Sequence, residues 1–226
     1  MEIDKSTLRK TLISRYVLVF FILGFFFFLP AGTYKYWHAW IYLGIIFLPA
    51  GIVILYFYKK NPEFLERRMR HREKEAEQKK IQKYSFFIFF MGLLLPGLDF
   101  RYQWSNVPVL LIFISDLIIL LAYFTIFYVF RINQYASRTV EVEKGQTLIT
   151  TGPYQYVRHP MYTAVILLYL FTPLALGSFW GLIPFLSLPI IIVFRIKNEE
   201  EVLKKELPGY IEYCQQTKYK LIPSIW

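Results

Sequence analysis

The chain has 226 residues, 56% of them hydrophobic and 20% aromatic, with 26 Lys and Arg against 16 Asp and Glu and a mean hydropathy of +0.38. A soluble domain of this size could not bury so much apolar surface, and the single cysteine, Cys214, excludes an intramolecular disulfide and a zinc cluster. The net charge of +10 would suit nucleic acid, but the basic residues lie between apolar runs rather than across a soluble face, which is the pattern of membrane topology and argues against a nucleic-acid partner.

Apolar runs at 12–31, 37–58, 85–98, 107–132, 161–176 and 178–194 are the candidate spans, measured against the roughly 20 residues that cross a bilayer core. The first is long, aromatic-rich and without a small-residue cleavage site, so it reads as a span rather than a removable signal. The third, fifth and sixth are short. They extend into their flanks, tilt, or, for the last two, form a helical hairpin that does not fully cross. Pro30, Pro49, Pro96, Pro173, Pro184 and Pro189 are expected to kink or end helices. If all six runs cross, 24 of the 26 Lys and Arg fall on one side, and only Lys35 and Arg101 on the other. That asymmetry puts both termini in the cytoplasm. The expected fold is all-α, a polytopic transmembrane bundle of about five or six spans. It forms one domain over 1–226, with N-terminal spans in 1–130 and a distinct part in 131–226.

Between the second and third runs, 59–84 carries 10 basic and 5 acidic residues. Glu66 with Arg70 and Glu75 with Lys79 stand at helical i,i+4 spacing, which predicts a surface helix drawn to anionic membrane lipids. Asp116 lies inside the fourth run, next to Ser115. A carboxylate there must face the bundle or be protonated, in a packing role or along a substrate path. Asp99 and Arg101 read as a surface pair or cap. His38, between Trp37 and Trp40, reads as a neighbour of the aromatic belt. Gly177 and Gly181 form a GxxxG at the turn of the last hairpin, a weak packing signal. The three histidines, His38, His71 and His159, lie in unrelated segments without metal-ligand spacing, so no metal site is expected.

The connection 131–159 is long for a structureless loop. It ends in Gly152-Pro-Tyr-Gln-Tyr-Val-Arg-His-Pro-Met-Tyr162. Gly152-Pro153 sets a turn. His159, preceding Pro160, is biased toward extended backbone, and Pro160 suits the first turn of the next helix. Arg158 and His159 then stand at a helix mouth, either as interface markers or as an anchor for a carboxylate or phosphate. Arg195, Glu199 and Glu200 leave the last apolar run on the same side, Arg195 and Glu199 on one helix face. They form a helix-end salt bridge or converge on the same mouth. Pro208-Gly209 ends that helix, and a short one follows at 210–213.

The part from 131 to 226 resembles the isoprenylcysteine carboxyl methyltransferase family and its bacterial relatives, with phospholipid methyltransferases further off. The resemblance rests on Asn133, SRTVEVEKGQTLITTGPYQYVRHPMY (137–162), RIKNEEEVL (195–203) and LPGYIEYCQQTKYKLIP (207–223). It is weaker over the first four spans, although GLDFRYQWSNVP (97–108) looks typical of the bacterial members. It implies a multi-pass membrane enzyme, in a bacterial cytoplasmic membrane with its site facing the cytoplasm, that uses S-adenosylmethionine without a soluble Rossmann domain. The chain has no GxG at all. The resemblance further implies cofactor contacts from Gln146, Thr147, Leu148, Ile149, Tyr154, His159, Pro160, Tyr162, Glu199 and Glu200. Arg195, with Arg158, would serve the methyl acceptor. That acceptor is a lipophilic small molecule or lipidated group. A carboxylate would need only a cation to orient it, a role suited to the fork of Arg195. An amine or thiol would need a proton acceptor, and none is evident in the sequence. Two other readings stay open: an NADPH-dependent membrane reductase of the sterol-reductase type, which shares an RHP motif and a Tyr-rich tail, and a non-catalytic membrane protein that keeps the fold. The acceptor and the oligomeric state are not legible.

Overall fold

The computed structural model describes residues 4–69, 76–136, 142–143 and 145–226, with the backbone alone for 76–82. The predicted pairs Glu66–Arg70 and Glu75–Lys79, and the quoted residues 137–141 and Lys144, lie outside what it describes. Among the described residues the order is α1 (Lys5–Ala31), α2 (Trp37–Lys60), α3 (Pro62–Met69), α4 (Ala76–Tyr102), α5 (Val109–Ile132), a 3-10 turn (Gly152–Gln155), α6 (Pro160–Ala175), α7 (Leu182–Phe185), α8 (Leu188–Glu206) and α9 (Tyr210–Gln216). The described chain has no strand. Helices α1, α2, α4 and α5 are long and apolar enough to cross a membrane, and α6 is a shorter apolar helix.

Two spans depart from the hydropathy reading. The third is a 27-residue helix, Ala76–Tyr102, because its charged flanks continue the helix beyond the apolar window. The sixth is broken. A single helical turn, α7, gives way at Leu186 and Ser187 to α8, with Pro189 near the new N-terminus. The last pair is thus a hairpin of the 16-residue α6 and the broken α7–α8 leg, and α8 runs on into the charged stretch from Arg195 to Glu206.

The core lies among α1, α2, α5 and α6, around Phe27, Tyr42, Leu43, Ile119, Ala122, Ala164 and Leu168. The small residues Ala122 and Ala164, both buried, let α5 and α6 approach closely, as helices in lipid must when dispersion and close packing drive association. Within this core the Tyr42 and Thr172 hydroxyls lie 3.0 Å apart, and Thr172 donates to the Leu168 carbonyl at 2.9 Å. Asp116 is 5% exposed, and its carboxylate has no hydrogen-bond partner among the described residues. Ser115, its neighbour, donates to the Leu111 carbonyl instead.

Helix α4 closes on α1 through Gly97. A Cβ there would fall 2.7 Å from the Phe27 carbonyl oxygen and 3.0 Å from Pro30. Backbone cannot step aside as a side chain can. Gly97→Val is therefore expected to cost about 1–3 kcal/mol by overpacking, read as a lowered melting temperature in detergent. An unchanged melt would show that α1 and α4 do not touch there.

At the bundle end away from α9, Asp99 is not the surface partner of Arg101. It is 1% exposed and accepts from the Ser105 N–H at 2.7 Å, the Ser105 hydroxyl at 2.6 Å and the Ser178 hydroxyl at 2.5 Å. Ser178 in turn accepts from the Gly181 N–H. This joins α4, the 103–108 loop and the α6–α7 turn. Arg101 instead lies over the Tyr102 ring.

Candidate functional site

At the opposite end, α5 stops at Asn133, whose N–H reaches the Val129 carbonyl. Its amide donates to the Tyr154 hydroxyl at 2.8 Å, and its side-chain oxygen accepts from the Tyr135 N–H at 3.0 Å. Tyr154 rides on the 3-10 turn that Gly152 opens at φ +62°. That backbone conformation favours glycine, and a Cβ there would also push on the tip of the Ile132 side chain at the end of α5. Burial pushes the Tyr154 hydroxyl up to about 12. It is a neutral phenol at working pH, with its proton available to a ligand.

Helix α6 starts as the sequence predicts. His159 is its N-cap, non-helical at φ −127°, and Pro160 occupies the first turn. The mouth is nevertheless not open to an outside anion. The Arg158 and His159 N–H groups donate, each at 2.9 Å, to the carbonyls of Tyr219 and Lys220 in the tail. The anion present belongs to the chain itself. Glu200, 2% exposed, takes Arg158 Nε at 2.7 Å and His159 Nε2 at 3.2 Å on one oxygen, and Lys220 Nζ at 3.0 Å on the other. The Arg158 guanidinium also donates to the Thr217 and Lys218 carbonyls at 2.7 and 2.9 Å. Burial alone would raise the Glu200 carboxyl, but the hydrogen bonds from His159, Arg158 and Lys220 outweigh it and hold the group well below the usual carboxylate range.

A carboxyl held low in the folded state stabilises that state at every pH above its unfolded value. The contribution is lost as pH falls through that value toward the folded one. For Glu200 the loss begins below its ordinary value of 4.5. Melting temperature in detergent is expected to fall as pH is lowered from about 5 toward 3, and less steeply in Glu200→Gln. Parallel curves would remove Glu200 from the acid response.

Along α8 the residues divide by face. Leu188, Ile192, Ile196 and Glu200, four apart, form the buried stripe. Arg195, Glu199, Val202 and Leu203 line a cavity instead. Inside it the Tyr162 hydroxyl accepts from Arg195 Nε at 2.8 Å and donates to Glu199 at 2.6 Å. The cavity is open on one side and holds about 890 Å³ of empty space, its mouth and adjoining solvent included.

Of the sequence-predicted residues, Gln146, Thr147, Leu148, Ile149, Tyr154, Arg158, His159, Pro160, Tyr162, Arg195 and Glu199 all stand on its wall. Glu200 does not. Arg158 reaches the wall, but its guanidinium is committed to Glu200 and the tail. The Gln146 side-chain oxygen accepts locally from the Glu143 N–H. The wall also carries Tyr135, Leu207, Tyr210 and Tyr213, to which sequence reasoning gave no role. Leu207, Tyr210 and Tyr213 lie in the 207–223 stretch that carries the resemblance, and Tyr135 stands two residues past Asn133. The Tyr210 hydroxyl is buried with no hydrogen-bond partner among the described residues.

The donor set fits S-adenosylmethionine. Aromatic faces at Tyr135, Tyr154 and Tyr213 suit a purine or a cationic sulfur. Glu199 suits an ammonium or ribose hydroxyls. The orphan Tyr210 hydroxyl and the Tyr154 proton can serve a carboxylate or ring nitrogen. Among the described residues no group of acids, histidines and cysteines could hold a metal ion.

Residues 110–208 match the family model of phospholipid methyltransferase. The match covers less than half of the chain, from the start of α5 to just past α8, and includes Tyr154, His159, Tyr162, Arg195 and Glu199. It supports a membrane methyltransferase. No curated protein matches the chain.

Proposed function

We propose that this chain is a multi-pass membrane methyltransferase that binds S-adenosylmethionine in the α6–α8 cavity and methylates a lipophilic acceptor. The observation that carries the reading is the Arg195–Tyr162–Glu199 hydrogen-bonded chain on a tyrosine-rich wall, inside the segment that matches the methyltransferase family. When bound, S-adenosylmethionine supplies an electrophilic methyl group on a cationic sulfur. The chain's own residues then bind, orient and exclude water, since in-line displacement asks for positioning above all. The partition of basic residues supports a site facing the cytoplasm.

Two acceptor classes suit the cavity. For a carboxylate of the isoprenylcysteine type, Arg195 supplies the orienting cation. A phospholipid amine must give up a proton, and a specific observation favours it: the Tyr162 hydroxyl already donates to Glu199. The phenol oxygen can take the acceptor's proton while its own passes to the carboxylate, the acceptor for protons that the sequence did not display.

The test is transfer of labelled methyl from S-adenosylmethionine into membrane lipid extract, with the labelled molecule identified, alongside binding of S-adenosylhomocysteine and of NADPH to purified protein. Binding of NADPH in place of the homocysteine product would move the chain to the reductase reading. Binding of neither would end the enzymatic one. Tyr162→Phe separates the acceptor classes. Lost turnover at saturating acceptor marks an amine, and a raised acceptor KM with turnover kept marks a carboxylate.

A further inference from the structure

Residues 217–226 cross behind the cavity, and none of them is on its wall. They nevertheless grip the 3-10 turn, the 158–159 segment, α6 and α8. The Thr217 hydroxyl and the Tyr213 hydroxyl just before the strap reach the Tyr154 carbonyl at 3.4 and 2.7 Å. The Thr217, Lys218, Tyr219 and Lys220 carbonyls take the Arg158 and His159 donors described above. The Leu221 carbonyl accepts from the Thr163 hydroxyl on α6 at 2.8 Å. The strap is closed on itself, because the N–H groups of Lys220, Leu221 and Ile222 converge on the Trp226 carbonyl at 2.9, 2.9 and 3.2 Å.

Lys220 is where these contacts meet. Its backbone carbonyl holds His159, its backbone N–H holds the end of the strap, and its ammonium lies 4.9 Å from the centre of the Trp226 ring while bonding Glu200 at 3.0 Å. Glu200 adjoins Glu199 on α8, so its direction sets the rotation that aims Glu199 and Arg195 into the cavity.

We propose that the 217–226 strap assembles the cofactor cavity from behind, with Lys220 as its positioning residue. Lys220 is not on the cavity wall; it reaches the wall only through its backbone carbonyl on the His159 N–H. It fixes the loop carrying Tyr154 and His159 against the α8 turn carrying Glu199. The proposal rests on the methyltransferase reading for what the cavity binds, though not for how it is built. It also separates two roles that a fold-level view merges. A strap that merely adds stability would leave the affinity of the folded protein alone. A strap that positions the wall sets that affinity.

The experiment uses the full chain in detergent. Lys220→Met keeps the stem and removes the charge. Affinity for S-adenosylhomocysteine is expected to weaken about tenfold, with turnover at saturating S-adenosylmethionine within about twofold of wild type, the pattern of a misplaced wall rather than a missing reacting group. Lys220→Arg, which can still reach Glu200, is expected to restore the affinity. Amide hydrogen exchange over 154–159 in the ligand-free protein is expected to quicken in Lys220→Met and not in Lys220→Arg. A Lys220→Met protein that melts earlier but binds with wild-type affinity, and exchanges at the wild-type rate over 154–159, would overturn the proposal. If wild type itself binds no S-adenosylhomocysteine, the methyltransferase reading fails, and the exchange measurement alone decides on the strap.

Discussion

Glu200→Ala is expected to destabilise the protein by about 3–5 kcal/mol, the cost of removing one partner from a buried ion cluster. The side chain is almost fully buried and answers three donors, two of them permanent cations. Without it, Arg158, 8% exposed, keeps only the neutral carbonyls of Thr217 and Lys218. A desolvated guanidinium compensated by dipoles alone is poorly served. Glu200→Gln retains the shape and one acceptor, so it should fall between alanine and wild type. The double variant Arg158→Met, Glu200→Leu should recover much of the loss, because it withdraws the charge and its partner together. Chemical unfolding in detergent measures all four proteins. A loss under about 1 kcal/mol for Glu200→Ala would mean that water reaches the cluster and screens it.

Arg195→Ala is expected to lower kcat/KM about 100- to 1,000-fold, some 3–4 kcal/mol of transition-state stabilisation, with S-adenosylhomocysteine affinity kept within about fivefold. The asymmetry follows from position. Arg195 bonds the Tyr162 hydroxyl through Nε, so its loss unsets the group that in turn bonds Glu199. The cofactor's other predicted contacts, at Tyr154, His159 and the 146–149 loop, remain in place. Arg195→Lys is expected to rescue little, since an ammonium on a flexible stem cannot hold the tyrosine and present a planar fork together. Equal losses in turnover and cofactor affinity would instead place Arg195 on the cofactor.

Much of this site can be read in the residues. His159-Pro160 announces a helix mouth, and the i,i+4 spacing of Arg195 and Glu199 puts both on one face. Pro208-Gly209 stops α8 where the structure stops it. The residues alone do not separate Glu199, which stands on the cavity wall, from Glu200, which does not. Adjacent helix residues point about 100° apart, and the rotation of α8 is fixed by what it packs against. A clue existed: Leu188, Ile192 and Ile196, at steps of four, make a buried stripe, and one more step lands on Glu200. Asp99 was misjudged for a related reason. Its partner Ser178 is 79 residues away in sequence, and no local pattern couples them. The extent of α4 was hidden because hydropathy marks where a helix meets lipid, not where it ends.

The Asp99 cluster bears on how the bundle can move. The α6–α8 hairpin is tied to α4 at its turn, where Ser178 bonds Asp99. At its other end Glu200 bonds Arg158 and His159 at the start of α6 and Lys220 in the tail, so the two legs are fastened to each other. A hairpin pinned at its tip and laced across its base moves as one piece. Whatever displaces α8 at the cavity must carry the start of α6 with it, and the two walls shift together or not at all.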